Sequence, residues 1–463
     1  MKWLHIGLAV LSSWAMALIT HAASLKNVIL IVADDMGYAD SGITGLKDFA
    51  TPNIDSIAKD GVFCTQAYVT SPVCSPSRAG FLTGCYQQRF GHEHNGSGPP
   101  PFGLPLNQLT MGDHFKATGS VTGAIGKWHL GESFEQHPLS RGFDEFVGFV
   151  GGDHSYFPES DRIANKPKIL DGREPAKWDE YLTTYFGRRA IEFIDHHKDE
   201  RFFLYFAANA PHSPLHARES DLAKVSNITD PRRRKYAAMM LALDEAVGEV
   251  LQKVKSAGLE NETVVAFLSD NGGPQPGDPS VNGSRNWPFR GGKAQIYDGG
   301  VHVPLFLKIP GVIKPGSRYD AAVSSLDLLP TLLSAIGEKP IAGPALDGVN
   351  LLPYLRDENK DRPHANLYWR IGAAFGLISG DWKIVWPRRE GGASDNPERP
   401  DFSKVQLYQL RQDISEKQDL AGQDPQRVEA MLTTWKQWDA TLVAPLWGSK
   451  KLGAATTRST EEP

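Results

Sequence analysis

Cys74 sits in the stretch Ser71-Pro-Val-Cys-Ser-Pro-Ser-Arg-Ala-Gly-Phe-Leu-Thr-Gly84. Pro76 suits the first turn of a helix, so Ser75 reads as an N-cap and residues 76–83 as a short helix closed by Gly84. Cys74 then lies just before a helix N-terminus, where free N–H groups and the helix dipole favour an anion. Arg78, about one turn further in, adds a fixed cation beside the same spot. Physical reasoning reaches an activated cysteine facing an anion; the competing reading is an inert cysteine beside a surface arginine. A thiol nucleophile usually wants a histidine base, and none is close in sequence, although a base need not be local.

Other reactive residues follow apolar runs that read as strands buried on both faces. Asp34 and Asp35 follow residues 27–33, Lys127 and His129 follow 121–126, His212 comes soon after 202–207, and Asp270 and Asn271 follow 263–268. In open α/β sheets the C-terminal strand ends line the ligand crevice, so these groups can converge. Asp34, Asp35, Asp270 and the Asn271 carbonyl are oxygen ligands; they suit a hard divalent cation, Ca²⁺ or Mg²⁺, and disfavour zinc or copper. Arg78, Lys127, His129, His212 and Lys293 make a cationic half. A metal flanked by such cations is what cleavage of an anionic ester requires. A histidine would protonate the departing oxygen near neutral pH.

Cys74-Ser-Pro-Ser-Arg78 followed by Leu82-Thr-Gly84 resembles the signature of type I sulfatases. Further matching motifs are Asp34-Asp35, Gly126-Lys-Trp-His-Leu-Gly131, Pro211-His-Ser-Pro214, Ser269-Asp-Asn-Gly-Gly273, and Gly291-Gly-Lys293 with Asp298-Gly-Gly300. The resemblance implies an alkaline-phosphatase-like α/β fold. It also implies Cα-formylglycine, an aldehyde made from Cys74 by a maturation enzyme, and Ca²⁺ held by Asp34, Asp35, Asp270, Asn271 and residue 74. The hydrated aldehyde attacks sulfur, the alcohol leaves, and the second hydroxyl expels sulfate. Arg78 and Lys127 would polarise residue 74, His129 would help break down the sulfated intermediate, and His212 and Lys293 would grip the sulfate, His212 also acting as the acid. Asp298 stands where the family usually has Glu and is expected to be structural. Gln87-Gln-Arg-Phe-Gly-His-Glu-His-Asn95 is similar to a segment of N-acetylgalactosamine-6-sulfatase-like and bacterial polysaccharide sulfatases. This implies a sulfated carbohydrate substrate, carrageenan-like or glycosaminoglycan. His92, His94, Asp153, His154 and Arg290, on neighbouring loops, are the candidate substrate-binding residues. The alternatives are a phosphoester or phosphonate hydrolase on the same scaffold and a non-catalytic sulfated-glycan-binding protein.

Alternating buried strands and amphipathic helices call for an α/β domain with a mostly parallel central sheet, here residues 24–350. A Pro- and Gly-rich boundary precedes a small C-terminal α+β subdomain, residues 351–449. Its antiparallel strands are expected at 366–370, 375–379, 382–386 and 406–410, its helix at 427–442. Residues 450–463 read as a disordered polar tail. Residues 1–23 carry Lys2, an apolar core and small residues at Ala22 and Ala23, the pattern of a signal peptide, so the protein is expected to be exported to the periplasm or beyond. No further apolar run has the length of a membrane span. With a formal net charge of −5 the chain has no global basic character, which argues against nucleic acid as a partner. Of three cysteines, Cys64 and Cys85 remain either as a disulfide pair or as two buried thiols.

Overall fold

The computed structural model describes residues 24–96, 102–161, 168–278, 280–387 and 401–447. The expected signal peptide and the expected polar tail lie outside the described residues.

A ten-stranded sheet forms the centre. Its order is Ser317–Tyr319, Val62–Cys64, Leu305–Lys308, Thr263–Ser269, Asn27–Ala33, Phe202–Ala207, Val121–Lys127, Glu145–Phe149, Leu170–Asp171 and Glu174–Pro175. The five strands from Thr263–Ser269 to Glu145–Phe149 are mutually parallel. Leu305–Lys308 runs antiparallel beside them, as does Leu170–Asp171 at the other side. Leu170–Asp171 and Glu174–Pro175 form this short antiparallel edge. Every residue of Asn27–Ala33 is buried. Val28, Leu30 and Val32 face one hydrophobic layer, and Ile29, Ile31 and Ala33 face the other. This two-sided burial is why the strand reads as a continuous apolar run. The helices Leu182–His196 and Pro231–Ser256 cover the second layer.

Asn366–Ile371, Ala374–Ser379, Trp382–Trp386 and Gln406–Gln409 form a separate antiparallel sheet. Gly380, at φ 61°, makes the tight turn between the second and third strands. The helix Pro425–Asp439 packs Met431, Leu432, Trp435 and Trp438 against Phe375, Leu377, Ile384 and Leu407.

The helix expected to begin after Ser75 and the helix Pro52–Lys59 both take their N-terminal caps from elsewhere in the chain. The reacting helix runs Cys74–Thr83, so Cys74 is its first residue, and neither Val73 nor Ser75 caps it with a side chain. Asn95 Oδ1 instead accepts the Ser75 N–H at 3.0 Å. In Pro52–Lys59, Thr51 makes no cap; Asp244 accepts the Ile54 N–H at 2.9 Å and the Asn53 N–H at 3.1 Å. Both helices are capped by side chains that arrive through the tertiary fold. Gly84 closes the reacting helix at φ 67° as expected. Cys64 and Cys85 are buried free thiols.

Candidate active site

The Asn27–Ala33 and Thr263–Ser269 strands pair in register, Ala33 opposite Ser269. Asp34 and Asp270 therefore emerge side by side, and the Asp270 N–H donates to the Ala33 carbonyl at 3.0 Å. Successive side chains on a strand point to opposite faces. Asp35 breaks that alternation with φ 66°, which lets two adjacent carboxylates share one site. Gly126 has φ 111°, and a Cβ there would stand 1.9 Å from the Ala207 carbonyl oxygen. Only glycine permits this close strand crossing just before Lys127. His129 is also left-handed, at φ 59°.

The side chains meet in one buried network. Lys127 Nζ lies 2.7 Å from Asp34 Oδ2, and Lys293 Nζ 2.8 Å from Asp35 Oδ2. Arg78 donates to Asp270 Oδ2 through Nε at 3.0 Å and Nη2 at 2.8 Å, and through Nη1 to the Tyr205 hydroxyl and the Lys127 carbonyl, each at 3.1 Å. The Cys74 thiol donates to Asp34 Oδ1 at 3.6 Å. His212 Nε2 is 3.5 Å from Asp35 Oδ2 and 3.2 Å from Lys293 Nζ. Its Nδ1 lies 2.6 Å from the Ser213 carbonyl. A carbonyl only accepts, so Nδ1 carries the proton and Nε2 is the atom free to gain or give one. His212 and Lys293 keep 12% and 8% side-chain exposure, whereas Lys127 and Arg78 keep none; solvent meets the cluster at its His212–Lys293 end.

Burial pushes the Cys74 thiol up to about 12, against the pull of Lys127 and Lys293. A plain thiol there is neutral near pH 7. Burial works on Asp34 in the same sense, but Lys127, His212 and Arg78 together hold its carboxyl below the ordinary value. Burial and the neighbouring Asp34 raise Asp270 in spite of Arg78. His129 is driven well down by burial, then by Lys127 and Arg78, and is neutral.

The residues could hold a metal ion. Asp34, Asp35, Cys74 and His212 present ligand-type atoms all within 4.8 Å of one another. The Asn271 Oδ1 carbonyl is buried without a hydrogen-bond partner, while its Nδ2 donates to Asp35 Oδ1 at 2.6 Å. A buried acceptor with no donor is costly unless something electropositive faces it. Each expected carboxylate ligand has one oxygen on a cation: Asp34 on Lys127, Asp35 on Lys293 and Asp270 on Arg78.

The expected substrate-binding residues divide. His92 is fully buried, with Nε2 2.6 Å from the Ser75 hydroxyl. His154 is buried, with Nδ1 on the Ser155 carbonyl and its ring against Phe149 and Trp178. Both rings are packed inside the fold. Arg290 is exposed, but its guanidinium donates to the Tyr408 hydroxyl and the Glu416 carbonyl and stacks 4.1 Å over Tyr297. His94 and Asp153 are half-buried. Sequence reasoning overlooked Tyr156, whose hydroxyl holds the Asn209 and His212 carbonyls at 2.6 and 2.8 Å. It also overlooked Asn282, whose amide bridges the Asp35 and Pro211 carbonyls at 3.1 Å each. Asn282 begins an Asn-Gly-Ser glycosylation triplet, but its side chain is completely buried.

The α/β sheet thus carries a buried cluster of carboxylates and cations at its strand ends, and comparison with known proteins gives the family. The sulfatase family model matches residues 26–338. Mouse N-acetylgalactosamine-6-sulfatase is 32% identical over 385 residues, 78% of this chain and 72% of the relative. Mouse arylsulfatase J is 34% identical over 471 residues, 92% and 77% of the two chains. The crystal structure of Ps i-CgsB in complex with k-i-k-neocarrahexaose superposes with a TM-score of 0.82 at 32% identity, covering 91% of this chain and 94% of that one. The chain belongs to the sulfatase family.

Proposed function

We propose that the protein hydrolyses sulfate esters on a sulfated carbohydrate, using Cα-formylglycine made from Cys74 and a bound Ca²⁺. The observation that carries this reading is the balance of the buried cage. Asp34, Asp35 and Asp270 are matched by Arg78, Lys127 and Lys293, so a divalent cation added to the cage leaves it positive and ready for a sulfate monoanion. Asp34, Asp35, Asp270 and Asn271 would hold the ion with residue 74, and the Asn271 carbonyl without a donor supports that set. When bound, the ion would neutralise charge on the sulfate oxygens. The buried thiol, neutral near pH 7, is a poor nucleophile; matured to the aldehyde by a dedicated enzyme, residue 74 would supply a hydrate as the nucleophile.

The chain's own residues do the rest. Arg78, fixed by Tyr205 and Asp270, and Lys127 hold positive charge beside residue 74. Lys293 and His212 take the sulfate from the solvent side. His212, its Nδ1–H held by the Ser213 carbonyl, takes a second proton at Nε2 and gives that proton to the leaving alcohol. Neutral His129 accepts a proton from residue 74 as sulfate departs. Asp153, His94 and Arg290 are the remaining candidates for reading the sugar. The neocarrahexaose bound to Ps i-CgsB and the sugar named in N-acetylgalactosamine-6-sulfatase support a sulfated glycan. We further propose export, led by residues 1–23, and division into a catalytic domain of residues 24–350 and a subdomain of residues 351–449. Among the described residues no helix is long and apolar enough to cross a membrane.

The test is sulfate release by the matured protein from sulfated galactan and glycosaminoglycan oligosaccharides, beside aryl sulfates and matching phosphate and phosphonate esters. Sulfate release from at least one sulfated sugar is expected. Preference for the phosphorus esters, or no ester turnover with aldehyde and Ca²⁺ both present, would overturn the reading.

A further inference from the structure

The segment 91–96 is gripped from both sides. On its inner side Asn95 caps the reacting helix. The Ser75 hydroxyl donates to the His129 carbonyl at 2.6 Å. Its one proton is thereby used, so it accepts from His92 Nε2–H, also at 2.6 Å. A single hydroxyl thus ties the residue after Cys74 to the backbone of His129, a residue in a left-handed conformation that persists only where its surroundings impose it.

On the outer side the chain returns after the last helix and lies across this segment. The Leu446 N–H donates to the Gly91 carbonyl at 2.9 Å. Trp447 Nε1–H donates to the His94 carbonyl at 2.9 Å. The Trp447 indole meets the His92 ring edge-on, with centroids 4.7 Å apart, and packs against Phe102 at 5.6 Å. A Cβ on Gly91 would stand 2.8 Å from the Ala444 carbonyl oxygen, and one on Gly96 would stand 2.9 Å from Trp447 Nε1. Arg370 pins the joint: Nη2 donates to the Val443 carbonyl at 2.6 Å, Nη1 to Asp439 at 2.7 Å and Nε to Glu93 at 3.1 Å.

We propose that residues 443–447 form a strap, and that Trp447 is a positioning residue for the reaction, acting through His92 and Ser75 on residue 74 and His129. This rests on the reading that those two residues take part in the chemistry. Trp447 touches none of the reacting groups. It holds His92 against Ser75 and so sets where the helix start and the His129 turn stand relative to each other. Misplacement of reacting groups by about 1 Å costs about 100-fold in rate, so loosening the strap lowers kcat and leaves KM nearly unchanged.

The experiment measures kcat and KM on an aryl sulfate for wild type, Trp447→Ala, Trp447→Phe, Ser75→Ala and the Ser75→Ala/Trp447→Ala double variant. Rates are taken per aldehyde-bearing folded molecule. Trp447→Ala is expected to lower kcat by about 10- to 100-fold, and Trp447→Phe, which keeps a ring edge on His92, to recover most of it. In the Ser75→Ala background the Trp447 substitution should have little further effect, because the link it works through is already cut. Should Trp447→Ala not fold, Trp447→Leu keeps the apolar cover without the ring edge or the N–H and carries the same expectation. An unchanged kcat in a folded Trp447 variant, or losses that multiply independently in the double variant, would overturn the strap. Absence of sulfate-ester turnover in the matured wild type would instead overturn the function on which it rests.

Discussion

The protein buries two clusters of opposite charges, and they differ in what is left over. At the strand ends, Asp34, Asp35 and Asp270 face Arg78, Lys127 and Lys293, yet Asn271 Oδ1 and His129 Nδ1 have no hydrogen-bond partner among the described residues, and His212 reaches solvent. Where the antiparallel sheet meets the large domain, Asp298 is fully engaged. Oδ1 takes Lys383 at 2.5 Å, Oδ2 takes the Tyr68 hydroxyl at 3.1 Å and His302 at 3.2 Å, and its N–H donates to Glu416 Oε2 at 2.7 Å. Lys383 also pairs with Glu416 at 2.8 Å. Burial pushes Asp298 up, but Lys383 and His302 hold it well below the usual carboxylate range. The first cluster is the one for which we propose an ion and an anion. The second closes on itself and joins two parts of the fold. Burial of charge alone therefore does not mark a site.

Substitutions should separate the two clusters. Cys74→Ala is expected to abolish sulfate-ester turnover while the melting temperature stays close to wild type, since a small buried side chain is exchanged for a smaller one. Chelation of divalent ions should likewise silence the protein, with Ca²⁺ restoring it, and Asn271→Ala should raise the Ca²⁺ concentration needed in a titration. His212→Ala should lower turnover of alkyl sulfates by about 10²- to 10⁴-fold, the usual contribution of a general acid. Aryl sulfates whose leaving group departs without a proton should suffer far less. Lys383→Met leaves Asp298 and Glu416 buried without their cation and should cost about 3–5 kcal/mol of stability in denaturant titrations. Turnover per folded, matured molecule should remain near wild type; a selective loss of kcat there would erase the contrast between the clusters. Gly152→Ala is the smallest change. A Cβ at 152 would stand 2.8 Å from His129 Nε2, so the ring must move, and we expect a rate loss of about 10- to 100-fold.

The legible parts of the fold were those that local pattern decides. The runs that became Asn27–Ala33, Phe202–Ala207 and Thr263–Ser269 were visible because both faces of each strand are buried, and the reactive residues at their ends followed from that. Asp298 was expected to be structural, and its closed network agrees. Helix starts were less legible, because Asn95 and Asp244 reach their targets across 20 and 191 residues of chain, and no window around Cys74 or Pro52 contains them. The left-handed turn at Asp35 had no local signal, since neither glycine nor asparagine marks it. His92 and His154 looked like loop residues open to substrate. Packing by Trp447 and by Phe149 with Trp178 enclosed them, and such contacts are set by tertiary structure alone.

The central claim is that residue 74 acts as an aldehyde within a cage built for a cation and a sulfate. The most direct measurement is the mass of the peptide spanning residue 74, taken from preparations whose sulfate-ester turnover is known. The account predicts formylglycine at that position, with turnover rising in proportion to its occupancy. An intact Cys74 thiol throughout a preparation that turns over sulfate esters at full rate would contradict it.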